Sequence, residues 1–123
     1  MMKFLVIGIG GGIGAILRYL ISVVPLKMSF PVQTFITNVL GAILIGVVVE
    51  MVAGRQVSQN WDLFWRVGIC GGFTTFSTFS IETYNLIEKG SVWIAFGYAI
   101  LSVVLSIVGV FIGRGVVKLA WEM

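Results

Sequence analysis

Four stretches of this chain carry no charged side chain: Phe4 to Leu17, Met28 to Val49, Val67 to Ile81 and Gly90 to Gly113. A helix needs about 20 mostly apolar residues to cross the hydrocarbon of a bilayer, and a 123-residue chain holding four such stretches has little sequence left for anything else. Only 11% of the residues are charged and the mean hydropathy is +1.08, against roughly 25% charged in an average soluble domain. The chain reads as an integral membrane protein. Its apolar runs are continuous rather than alternating, and a closed barrel needs at least about 8 strands, so helices are the backbone solution that satisfies every amide in lipid.

The expectation is therefore an all-α, single transmembrane domain over residues 1–123, with four helices at about 4–24, 32–53, 63–87 and 91–117, the third of them interrupted. Pro25 and Pro31 bracket the first connection, where a prolyl ring removes no helical hydrogen bond. Gly54 to Asp62 forms the longest polar connection, and Glu88-Lys89-Gly90 reads as a tight turn. Met2-Lys3 before an apolar run has the outline of a signal peptide, with Ala15 as part of a cleavage site, but Phe4 to Val24 is long enough to be a first transmembrane helix and is read as one.

Net charge is +3, and the cations sit at helix ends. Lys3, Arg55, Arg66, Arg114 and Lys118 fall on the side of the N-terminus, second loop and C-terminus; Arg18, Lys27 and Lys89 fall on the other. That bias favours cytoplasmic termini by a small margin, so a mixed orientation stays open. Histidine is absent and Cys70 is the single cysteine. The commonest proton shuttle and metal ligand is thus missing, no intrachain disulfide can form, and no nucleophile has a base beside it, which leaves catalysis without a constellation.

Small residues recur at four-residue spacing: Gly8 with Gly12, Gly10 with Gly14, Ala42 with Gly46, Gly109 with Gly113. In lipid this spacing lets helices approach closely. Gly10-x-Gly12-x-x-Ala15 also fits a loose dinucleotide fingerprint, but no strand precedes it and no βαβ unit surrounds it. Four helices of this size enclose little interior of their own, so an oligomer is expected.

Polar residues at membrane depth mark a pathway, a partner or a site by default. Thr34 and Asn38 lie four apart on the second helix, with Gln33 near its start, and Tyr98, Ser102 and Ser106 repeat at the same interval on the fourth. The third span carries Gly71-Gly72-Phe73-Thr74-Thr75-Phe76-Ser77-Thr78-Phe79-Ser80. Hydroxyls of this kind either bond back to the carbonyl one turn earlier or bridge helices, and either use is ordinary. Phe76 and Phe79 are either core or a pair of rings whose positive edges face an anion. The glycine pair either permits close packing or opens the helix, freeing carbonyls that could seat a small monovalent cation. Arg18 could snorkel, pair with an acid or raise the anion concentration at a pore mouth.

This decad, followed by Glu82-Thr83 and joined by Thr37-Asn38-Val39-Leu40-Gly41 and a glycine-rich first helix ending in Leu17-Arg18-Tyr19, resembles the Fluc (CrcB-type) fluoride channels over essentially the whole chain. The resemblance implies a passive, fluoride-selective channel that exports cytoplasmic fluoride, multi-pass in the inner (plasma) membrane, built as an antiparallel, dual-topology homodimer with two pores. It implies pore roles for Asn38, Phe76, Phe79, Thr34, Tyr98, Ser102 and Ser106. It also implies a structural sodium ion at the dimer interface, held by the backbone carbonyls of Gly71 and Thr74; Arg18, read from its position alone, stays a candidate vestibule residue. Val110 stands where the hydroxyl track of the fourth helix would continue. The main alternative is a small dual-topology, proton-coupled exporter of cationic drugs, which needs a membrane-embedded carboxylate; the first helix has none, and Glu82 is the candidate near a span. A non-transporting membrane scaffold would use the hydroxyls only as helix glue.

Overall fold

The computed structural model describes every residue from Met1 to Met123 and contains helices and no strands. Three helices are each long and apolar enough to cross a membrane: α1 (Met2–Ser22), α2 (Val32–Gly54) and α6 (Val92–Glu122). Between α2 and α6 lies a fourth span built from pieces. A short α3 (Gln59–Asp62) leads into a π-helical stretch (Leu63–Cys70), then α4 (Gly71–Phe73), two extended residues, and α5 (Phe76–Glu88).

Each boundary has a local cause. Ser22 donates its hydroxyl to the Tyr19 carbonyl as α1 ends, and the Gln33 amide donates to the Val24 and Leu26 carbonyls, tying the proline-bounded connection to the start of α2. Gln33 is thus a loop clamp rather than part of any polar track. Ser58 caps α3 by accepting from the Trp61 amide at 3.1 Å. Between α5 and α6, Gly90 has φ +85°, with Gly90 N donating to Ile87 O and Ser91 N to Leu86 O. This pair of bonds is a Schellman closure, and the left-handed residue at its centre suits glycine. Past residue 117 no glycine or proline stops α6, which runs on to Glu122 and packs Trp121 across Gly54, with the Arg55 guanidinium 4.9 Å from the Trp121 ring.

The helices pack as two principal pairs, α1 against the π-helical stretch and α4, and α2 against α6, with α5 leaning on α6. Glycines set both approaches. At Gly14 an added Cβ would run into Ile69 O and come within 2.8 Å of Phe73 N; at Gly46 it would run into the Val110 carbonyl. Val110 therefore serves a helix crossing rather than a polar track. Gly8 and Gly12, by contrast, face open space. The N-terminus lies beside Ser58, Gln59 and Asn60, and Trp121 beside Gly54. Both termini and the second connection share one end of the bundle, as four crossings require.

Glu82 is not the sole carboxylate within a span. Glu50 is buried in α2 and accepts from Arg114 Nε at 2.7 Å, pairing α2 with α6. A buried acid survives at membrane depth by such pairing.

Candidate functional site

The site is organised by one side chain. Asn38, on α2, presents its amide edge to Thr75: Nδ2 donates to Thr75 O at 3.1 Å, and Oδ1 accepts from Thr75 N at 2.8 Å. Thr74 (φ −82°, ψ 156°) and Thr75 (φ −148°, ψ 115°) are extended, so neither Thr75 group has a helical partner. Asn38 supplies both, doing for one residue what a neighbouring strand does in a sheet. Glycine at position 41, one turn further on, gives the Thr74 side chain room, because a Cβ there would overlap Thr74 Cγ2. The Asn-x-x-Gly of α2 is therefore a receptor for the break in the third span.

The break lies later than the glycine pair. Gly71 is still helical (φ −64°, ψ −38°), and Gly72 packs against the backbone of Gly11 on α1. Gly72 serves close approach, a Cβ at Gly71 would meet no neighbour closer than Arg66 O at 4.0 Å, and the two threonines open the helix. Thr75 then restarts it, its hydroxyl accepting from the Thr78 amide at 3.1 Å as an N-cap. On the other side of the break, Thr74 N and Oγ1 both donate to Cys70 O, and Arg18 Nε donates to Gly72 O at 3.2 Å. Arg18 thus satisfies a carbonyl released by the break rather than snorkelling or meeting an acid. The Gly71 and Thr74 carbonyls accept none of the chain's hydrogen bonds.

A groove of about 430 Å³ runs along the break. Asn38, Gly41 and Ile45 line it from α2; Gly71 from α4; Thr74 and Thr75 from the break; Phe76 and Phe79 from α5; Ser102, Val103 and Ser106 from α6. No carboxylate lines it, and Arg66 is its one charged residue. The Phe76 and Phe79 rings are 5.7 Å apart and tilted by 43°, with Phe76 79% exposed. Ser102 is only 6% exposed, and its hydroxyl has no partner within the chain. Buried hydroxyls are rarely left so, and this one faces a groove that can receive an acceptor.

The hydroxyl row of α6 divides. Ser102 and Ser106 line the groove, whereas Tyr98 is buried behind Phe79, its ring 5.2 Å from that ring and its hydroxyl donating to Glu82 Oε1 at 3.2 Å. Thr34 is buried beside Tyr98. Thr34, Tyr98 and Glu82 form a polar cluster continuing from the aromatic end of the groove. Ser80 and Thr83 bond back to the Phe76 and Phe79 carbonyls at 2.8 Å, a local use that withdraws them from any path. The sequence marks neither Thr75, the pivot of the break, nor Arg66, counted only among the helix-end cations, as a site residue; a hydroxyl residue immediately before a helical run is the signal that could have found the first.

Residues 5–114 match the family model described as CrcB-like protein, Camphor Resistance (CrcB). A protein of Pyrococcus horikoshii named fluoride-specific ion channel FluC is 42% identical over 107 residues, which are 85% of this chain and 87% of that one. The protein of the same name from Clostridium novyi is 45% identical over 121 residues, 95% and 94% of the two chains, and FluC 2 of Nitrobacter hamburgensis is 40% identical over 121 residues, 95% and 98%. A match of that extent, on a chain whose Asn38 and Thr75 are joined at the centre of a broken membrane helix, places this multi-pass membrane protein in the CrcB family.

Proposed function

We propose that the protein is a passive, fluoride-selective channel that lets fluoride leave the cell across the plasma membrane. The observation that carries this reading is the groove at the break, in which the Asn38–Thr75 clamp sets two phenylalanine rings opposite the serine hydroxyls of α6 with no carboxylate among them. Neutral donors and positive ring edges attract a small anion, and the absence of a fixed cation at the aromatic end lets it leave again. The named relatives are fluoride-specific ion channels, and the groove fits that cargo. A proton-coupled exporter of cations has no support: the groove lacks an acid, Glu82 is engaged by Tyr98 and Glu50 by Arg114. The work is permeation, not catalysis.

The functional unit in this reading is an antiparallel homodimer. Asn38, Thr74 and Ser106 line a groove open on one side of the single chain, and polar groups at that depth cannot be left against lipid. A second copy covers them. Inverted insertion accords with the small charge bias between the two ends. The break also suits a structural sodium ion at that interface. Gly71 and Thr74 offer carbonyls free of hydrogen bonds, and no cluster of His, Cys, Asp or Glu is present to compete for it. Bound there, the ion would supply the positive charge that two opposed breaks otherwise lack, while Asn38 and Arg18 hold the surrounding backbone.

Reconstituted vesicles with a fluoride-selective electrode test the channel. Fluoride efflux is expected without a proton gradient and is expected to stop when sodium on both sides is replaced by N-methylglucamine. Phe76→Ile should lower flux at least about tenfold, roughly 1.4 kcal/mol in barrier, while the fold of each chain is kept, because Phe76 is largely exposed in the single chain. Folded protein without efflux, or full flux in Phe76→Ile, would refute the reading.

A further inference from the structure

Arg66 is the one charged residue lining the groove, and the helix is deformed where it sits. In a regular α-helix, residues 66 and 71 would lie about 140° apart around the axis. Residues 63–70 are π-helical, and i→i+5 turns reduce the angle around the axis between positions five apart. Arg66 and Gly71 accordingly line the same groove. Its side chain is 45% exposed and bonds Asp62 one turn back, through Asp62 Oδ2. Asp62 does not line the groove. The pair therefore presents its positive end to the groove and its negative end away from it. Asp62 Oδ1 is buried without a partner, so this carboxylate has no other group to neutralise it.

We propose that Arg66 draws fluoride into the groove and that Asp62 restrains its pull, so that together they set the rate of anion entry. This rests on the fluoride-channel reading above and adds an entry residue to it. Arg18, the other cation near the break, is committed to the Gly72 carbonyl. An arginine in the wall of the groove concentrates anions there by its field. Its effect must then fall with added salt, because the screening length shrinks from about 30 Å at 0.01 M to about 3 Å at 1 M. A residue with a packing role would show no such dependence.

The test is fluoride efflux from reconstituted vesicles at fixed fluoride, with ionic strength raised by sodium isethionate, whose anion is bulky. Arg66→Gln is expected to slow efflux about three- to tenfold at low ionic strength and less than twofold at about 1 M salt. Arg66→Lys, which keeps the charge, should restore most of the low-salt rate. Asp62→Asn should raise it above wild type. Equal low-salt rates for wild type and Arg66→Gln overturn the inference alone, as does a loss that persists unchanged in high salt or one that Arg66→Lys shares. A fall in Asp62→Asn overturns the restraint assigned to Asp62. Absence of efflux from the wild-type protein overturns the channel reading and this inference with it.

Discussion

Asn38→Ala is expected to abolish fluoride efflux and destabilise the protein together. The substitution removes the donor to Thr75 O and the acceptor for Thr75 N at once. An interhelical side-chain hydrogen bond in a membrane contributes on average only about 0.6 kcal/mol, which would make the loss mild. That average does not apply here, because both groups left behind are backbone groups without a helical partner. Each unsatisfied buried group costs about 1–3 kcal/mol, or about 2–6 kcal/mol for the pair. The chain can relieve this by closing Thr74 and Thr75 into the helix, which rotates Phe76 and Phe79 out of the groove. Efflux is then expected to fall at least about 100-fold, equivalent to about 2.7 kcal/mol. Asn38→Asp separates the two effects. It keeps an acceptor for Thr75 N and should retain more stability, yet its charge repels an anion and should still stop flux. Efflux near wild type from well-folded Asn38→Ala protein would show that the clamp is not what holds the path open.

The helical class and the membrane crossings were legible because they depend on composition along one stretch at a time. Continuous apolar runs admit one backbone solution in lipid, and Gly90 announced its own turn by following Glu88-Lys89. The site was less legible, for a physical reason. Which carbonyl a membrane-buried amide reaches depends on how helices cross, and Asn38 meets a residue 37 positions away. The sequence marked Asn38 as polar and the decad as odd, but nothing local joined them. The glycine pair suggested the opening because glycine tolerates open angles; Gly72 instead uses its missing side chain to pack on Gly11, Gly71 stays helical, and the threonines break the helix because Asn38 and the Thr75 cap stabilise them extended. The π-helical stretch left no mark in the sequence, because the register of its backbone hydrogen bonds is not written in residue type; Gly10 packs against it, where an added Cβ would come within 2.6 Å of Phe64 O. Glu50 stood at the edge of a charge-free stretch, and its partner lies 64 positions on.

The same distinction yields the second large effect, on α1. Two glycine pairs share the four-residue spacing, yet only Gly10 and Gly14 are buried within the chain. Gly14→Val should collapse the site from behind. Its side chain would occupy the space of Ile69 O, Phe73 N and the Gly72 carbonyl carbon, all backbone atoms that cannot rotate away. Overfilling a close-packed contact costs about 1–3 kcal/mol when side chains can adjust, and here only whole helices can move. As α1 withdraws it takes Arg18, one turn along the same face, away from Gly72 O, and the end of α4 loses the donor that satisfies it. Expected results are loss of efflux, a lowered unfolding temperature in detergent and faster proteolysis near Thr74. Gly12→Val is the control. Nothing lies within 4 Å of a Cβ at Gly12, so the monomer fold should survive, and any defect should appear as dissociation of dimers on cross-linking or light scattering. If Gly14→Val matched wild type in all three measurements, or if Gly12→Val unfolded as readily, the close approach of α1 to the break would not be what supports the site.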